Sequence, residues 1–233
     1  MPRKPRVLEP NRVYHVYNRR TDRQRLFPSP RAYDEFLHLL EIGRERYDVR
    51  ICAFCAMETH WHQGIWIRDE DGVTAAAKYL RWLSSIHALR FRSASDTRGH
   101  GHVYQDRYKS LVVNDDDHYV MLVRYIEANP VVAGLVDRAE QWPWSSLAER
   151  VSRRRRILDD GPVPLPENWA DIVNASVDLE MPDLVPDLNL GLTSHLGTEV
   201  TRGRRLRRGR RLSTQGRTSV APVRGGGHYN PDS

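Results

Sequence analysis

Four short groupings in this sequence carry side chains that could do chemistry. His60-Trp61-His62 places two imidazoles at i and i+2. On a strand such residues face the same way, so the pair can bind one metal ion. Alone the spacing is a weak signal, because histidines so placed are more often ordinary sheet residues. His100-Gly101-His102 has the same spacing but lies in a glycine-flanked stretch, Gly99 to Gly101, where the backbone does not hold both rings on one face. It reads as turn chemistry or a phosphate contact. Cys52 and Cys55, just upstream of the first pair, raise a zinc reading, since zinc sites use Cys₂His₂ sets. A strand would turn the two thiols to opposite faces, and the apolar run Val49–Met57 around them reads more simply as buried free cysteines.

The fourth grouping is Tyr125 with Asn129. Tyr119, Leu122, Val123 and Ile126 form a helical apolar stripe. At helical spacing Tyr125 lies about 110° from the centre of that stripe. Asn129 at i+4 falls beside it, and His118 shares the flank. Such a tyrosine could project its hydroxyl toward a neighbouring surface, or simply pack half-buried at the domain edge. Pro130 disfavours helical geometry at Asn129, so a distorted turn is expected there. A phenol is a weak nucleophile at neutral pH, its pKa being near 10. With a metal withdrawing charge from a scissile phosphate, it can attack phosphorus, form a phosphotyrosine and release a 3′-hydroxyl. The bond energy is kept, so a strand can be rejoined without ATP.

These groupings need elements to position them. Arg12–Arg19 is rich in Val and Tyr and predicts a strand. Pro30 opens a helix whose apolar positions are Phe36, Leu39, Leu40 and Ile42. Val49–Met57 and Trp61–Ile67 are of strand length, with Glu58-Thr59 as the turn between them. A second helix follows Gly72, with Val73, Ala76, Ala77, Leu80, Leu83 and His87 at helical spacing. Val103–Val113 predicts another strand, and Asp115–Asp117 cap a helix running through Ala128. The order β-α-β-β-α-β followed by a helix is that of an α+β, ferredoxin-like sandwich, an antiparallel sheet with helices on one face. Residues 1–150 form this domain. Residues 151–201 are a Pro-rich, acidic extension or linker, and residues 202–233 an Arg/Gly-rich tail whose composition predicts disorder.

Composition limits the partners. The 233 residues are 39% hydrophobic and 28% charged, with no run approaching the roughly 20 apolar residues of a membrane span. The N-terminus has no apolar stretch of a secretory signal, and two cysteines suit a reducing cytoplasm. The net charge of +6 conceals a basic body, an acidic stretch at 157–201 without Lys or Arg, and the tail with Arg202–Arg211. A polyanion such as nucleic acid is the expected partner.

Taken together, Arg124–Val136 (RYIEANPVVAGLV), His60–Ile65 (HWHQGI) and Tyr14–Phe27 (YHVYNRRTDRQRLF) resemble the REP-associated tyrosine transposases, members of the wider HUH single-strand DNA transposases. Gly101–Val113 and Trp142–Ser146 fit as well, and the resemblance covers roughly residues 10–150. It implies Tyr125 as nucleophile on the late helix and His60, His62 and Asn129 as ligands of Mg²⁺ or Mn²⁺. It implies single-stranded DNA with hairpins as substrate, and either a monomer or a dimer. Glu58-Thr59 before the pair and Gln63-Gly64 after it depart from the family's usual residues. For DNA contact, Arg19, Arg20, Arg107 and the Arg202–Arg211 tail are the expected phosphate ligands, and Tyr14, Tyr17 or Trp61 the expected stacking surfaces. Two other readings stand beside this one: a non-cutting nucleic-acid-binding module of the same fold, and a small protein with a structural Cys/His zinc site.

Overall fold

A computed structural model describes residues 8–21, 24–94 and 101–175. Among these residues four strands and five α-helices follow in the order β1 (Arg12–Arg19), α1 (Pro30–Tyr47), β2 (Arg50–Met57), β3 (His60–Ile67), α2 (Glu70–Ala94), β4 (Lys109–Val112), α3 (Asp116–Val132), α4 (Ser146–Ser152) and α5 (Trp169–Asn174). The sheet order is β2-β3-β1-β4 and every pairing is antiparallel. This is the order expected of a ferredoxin-like sandwich.

The alternation of each strand divides the core in two. Tyr14 and Val16 of β1 and Trp61, Ile65 and Ile67 of β3 join Phe36, Leu39 and Leu40 of α1 and Tyr79, Leu80 and Leu83 of α2. Val13 of β1 and Cys55 and Met57 of β2 join Tyr119, Leu122, Val123 and Ile126 of α3. Helices therefore cover both faces of the sheet, where the sequence pattern had placed them on one. The helices start where local chemistry dictates. The Ser29 side chain caps α1 by accepting from the Ala32 N–H, with Pro30 following it. Asp115 caps α3 by accepting from the His118 N–H at 2.8 Å. Gly43 lets α1 pack close against α2: a Cβ there would lie 2.5 Å from the Tyr79 ring.

Three local expectations are corrected. The stretch Val103–Val113 is not one strand; only Lys109–Val112 joins the ladder, while Tyr104 makes an isolated bridge to Arg20. Side-chain anchors replace the ladder there. The Tyr104 hydroxyl accepts from Trp61 Nε1 at 3.0 Å and meets His87 Nδ1 at 2.6 Å, and Asn18 Nδ2 donates to the Asp106 carbonyl. Cys52 and Cys55 do not face opposite ways. A register shift between Ile51 and Ala53 inserts a bulge at Cys52, and both thiols enter the α3-side core. Finally, α3 passes through Pro130 to Val132. A proline so near a helix end forfeits one hydrogen bond in a turn whose carbonyls are already running out of partners.

The described part of the acidic extension is not a loose linker. Ile157, Leu158, Trp169 and Val173 are buried, and Gly161 lies so close to Tyr119 that a Cβ there would collide with its hydroxyl. Arg202–Arg211, the rest of the tail, and His100 lie outside the described residues.

Candidate active site

The α3 face of the sheet gathers the chemistry. Because β1 and β3 are antiparallel in a fixed register, Tyr17 lies opposite His62 and Arg19 opposite His60, all on one side. His60 and His62 lie edge to face, their ring centroids 4.9 Å apart. Across them runs α3, which sets the Tyr125 ring edge-on to His62 at 5.6 Å and to His15 at 5.8 Å. Asn129, one turn on, donates from Nδ2 to the Tyr125 carbonyl at 2.7 Å. One strand and one helix thus bring His60, His62 and Tyr125 together, with Asn129 bonded beside Tyr125.

Burial fixes the charge state of this cluster. The His60 imidazole is held down at about 4, by burial first and then by the neighbouring Arg19 charge. His62 is lowered well below its ordinary value, by burial and then by His60 and His15. At neutral pH both rings are uncharged and keep a lone pair for a cation. His62 Nε2 is buried with no hydrogen-bond partner, the kind of orphaned acceptor a metal would satisfy. His60 Nδ1 is engaged by Thr59 Oγ1 at 3.0 Å, so its Nε2 is the ring atom left to ligate. Among the described residues no group of three or more His, Cys, Asp or Glu is placed to hold a metal alone. The two imidazoles would be completed by the Asn129 amide oxygen and by water or phosphate oxygens, a set that suits Mn²⁺ or Mg²⁺. Burial pushes the Tyr125 hydroxyl up to about 12, with the Asn129 side chain pulling the other way. Unassisted, this phenol stays protonated at neutral pH.

Both cysteines are poor zinc ligands where they stand. Burial pushes the Cys52 thiol up to about 12 and Cys55 well above its ordinary value. Cys52 donates to the Gly64 carbonyl at 3.2 Å and Cys55 to the Met57 sulfur at 3.5 Å.

The expected DNA contacts divide. Arg19 sits beside His60, at the site. Arg20 points away: its guanidinium lies 4.7 Å from the Phe91 ring centroid of α2 and donates to the Arg25 carbonyl and Gln24. Arg107 is exposed in the segment leading into β4. Tyr14 is 4% exposed in the opposite core, its hydroxyl accepting from the Glu9 N–H, and Trp61 is fully buried. Neither offers a ring face to a base, because strand alternation turns both away from the His60–His62 face. Tyr17 is on the correct face but buried at 3%, packed 5.0 Å from His15 with the Lys109 ammonium 5.9 Å from its ring centroid. Two residues escaped the sequence reading. His15 has the same parity as Tyr17 on β1, which was the signal available, but its pairing with His62 depends on register. Lys109 lies opposite Tyr17, a neighbour no local pattern announces.

Known proteins were compared with this arrangement. The family model described as "Transposase IS200 like" matches residues 10–129, from just before β1 to Asn129. The chain belongs to the IS200-like transposase family. As a transposase it is a DNA-processing enzyme. Among solved structures, a REP-associated tyrosine transposase bound to a REP hairpin is similar to it at 19% identity and a TM-score of 0.50, covering 71% of this chain and 95% of that one. At that identity the likeness is one of fold. A second structure, described as a "putative transposase" from Deinococcus radiodurans R1, aligns at 17% identity and a TM-score of 0.37, over 51% of this chain and 89% of that one. No curated protein matches the transposase. Among its described residues no helix is long and apolar enough to cross a membrane.

Proposed function

We propose that this transposase cuts and rejoins single-stranded DNA through a covalent 5′-phosphotyrosine at Tyr125, with a divalent cation held by His60, His62 and Asn129. The observation that carries this reading is the buried, unpartnered Nε2 of His62, whose ring lies edge to face with Tyr125 at 5.6 Å. The hairpin-bound structural neighbour favours hairpin-bearing DNA as the substrate.

A cation at the His pair would supply Lewis-acid withdrawal of charge from the phosphoryl oxygens. The Tyr125 oxygen then attacks phosphorus, forming the tyrosyl O–P bond as the P–O3′ bond breaks. The phenolic proton is lost to solvent, and the departing 3′ oxygen takes one up. Arg19 and Lys109, flanking the pair on the same sheet face, hold the strand by its phosphates. Rejoining reverses these steps with an incoming 3′-hydroxyl. Of the two cations, a pair of imidazoles shifts preference toward Mn²⁺.

The test is a covalent-adduct assay with single-stranded hairpin DNA and Mn²⁺ or Mg²⁺. A denaturant-resistant protein–DNA band that needs the cation and vanishes in Tyr125→Phe is the expected result. Clear hairpin binding without any adduct would favour the non-cutting module instead. An adduct that persists in Tyr125→Phe would remove Tyr125 as nucleophile.

A further inference from the structure

His15 lies on the same face as the metal-binding pair and has no part in the mechanism above. It is fully buried, and its Nε2 is 2.9 Å from His62 Nδ1. The two rings are nearly parallel, 22° apart in plane with centroids 5.1 Å apart. In the ladder His15 is opposite Gly64. No side chain from that position stands between His15 and the diagonal His62. We infer that His15 is a positioning residue that fixes the tautomer and ring orientation of His62, so that His62 presents a bare Nε2 lone pair to a divalent cation. This inference rests on the metal reading of the His60–His62 pair.

Proton counting decides what His62 can do. Both rings are enclosed, His15 at 0% and His62 at 1% exposed, and burial disfavours the charged form of an imidazole. Two neutral imidazoles joined by one N···N contact share one proton in that contact. If His15 Nε2 carries it, His62 accepts at Nδ1 and must carry its own proton at Nε2. Its outward nitrogen is then a buried donor that cannot ligate. If His62 Nδ1 carries it and donates to His15, Nε2 is left with a free lone pair. Only the second arrangement can bind a cation. It needs an acceptor at the His15 Nε2 position and puts the His15 proton on Nδ1, which is buried without a partner, so the cation bond at His62 is what outweighs that orphaned donor. His60 is treated in parallel, its Nδ1 tied to Thr59 Oγ1. Metal-bound histidines generally give their second nitrogen to such a partner, and losing the partner lowers metal affinity by about ten- to a hundred-fold.

The experiment is Mn²⁺ binding to the full chain, by calorimetry and by the loss of the free-ion EPR signal. It compares wild type with His15→Leu, His15→Gln and His15→Asn, each with its melting temperature recorded. Hairpin-DNA binding in EDTA serves as a readout that a general structural defect would change. His15→Leu should lose about ten- to a hundred-fold in Mn²⁺ affinity while keeping metal-free DNA binding. His15→Gln, whose amide oxygen reaches the Nε2 position, should retain most of the affinity, and the shorter His15→Asn should not. Wild-type affinity in His15→Leu overturns the inference and leaves the metal site standing. Should His15→Leu fail to fold, equal Mn²⁺ affinity in the Gln and Asn variants overturns it. A wild-type chain that binds no Mn²⁺ overturns the metal reading and this inference with it.

Discussion

At the scale of single residues, the site is set by which face of a strand or helix a side chain occupies. Arg19 and Arg20 are neighbours, yet one flanks His60 and the other leans on Phe91 of α2. Arg19→Ala and Lys109→Ala should therefore each weaken hairpin-DNA binding at every sequence and lower the slope of log affinity against log salt by about 1. Fluorescence anisotropy across a salt series would measure this, and an unchanged slope in both would mean that the strand enters elsewhere. Tyr14→Phe, by contrast, should bind DNA as wild type does, because it removes only the hydroxyl that accepts from Glu9. Of the residues expected from the sequence, His60, His62, Tyr125 and Asn129 were legible as motifs; the rings of His60, His62 and Tyr125 lie side by side, and Asn129 is bonded to the Tyr125 carbonyl. Tyr14 and Trp61 were legible only as aromatics, and composition does not say which face an aromatic takes.

At the scale of elements, α3 carries Tyr125 and Asn129 and must be held rigidly against the sheet. Its anchor is Glu127, fully buried, which accepts from Ser146 Oγ at 2.5 Å, Arg150 Nε at 2.8 Å and Trp169 Nε1 at 2.6 Å. One carboxylate thus ties α3 to α4 and α5. A buried charge with this many donors is satisfied, and truncating it leaves Arg150 and two other donors stranded. Glu127→Ala should cost about 3–5 kcal/mol in unfolding free energy, read from urea denaturation. A loss no larger than that of an ordinary surface substitution would show the anchor to be dispensable. Gly43→Ala tests the other face of the sheet. A methyl group there meets the Tyr79 ring, and overpacking of this kind costs about 1–3 kcal/mol. A neutral Gly43→Ala would mean that α1 and α2 can separate freely.

At the scale of the whole molecule, residues 151–175 close the described fold. Asp159, 8% exposed, receives Arg44, Arg50 and the Ile51 N–H, so that α1 and β2 are bound to the extension. Burial works to raise its carboxyl, but the bonds from Arg44 and Ile51, with Arg50, outweigh it and hold the group below the ordinary carboxylate range. A carboxyl depressed in the folded state contributes stability above its unfolded pKa and loses it as pH falls through the folded value. Wild-type stability should therefore drop more steeply than that of Asp159→Asn below about pH 4, measured as urea midpoints between neutral and acid pH. Parallel curves would show that the Asp159 charge is not coupled to folding. A chain ending at residue 150 should be markedly less stable than one ending at 175, because Ile157, Leu158, Trp169 and Val173 would be lost from the core.

The sequence by itself determined the element order, and with it the sheet. Alternation in Arg12–Arg19 and helical spacing after Pro30 and Gly72 are local properties, and β-α-β-β-α-β leaves few ways to pair the strands. It also made the candidate pairs His60–His62 and Tyr125–Asn129 legible, because i, i+2 on a strand and i, i+4 on a helix are each fixed by backbone geometry. Only the tertiary structure decided what lies across from what. The bulge at Cys52 put both thiols on one face, Tyr104 left the ladder to bind Trp61 and His87, and the described part of the acidic extension, up to residue 175, folded back onto α3. His15 met His62 through the register of β1 on β3. Each of these depends on a partner many positions away, and a local pattern does not encode the register between two strands.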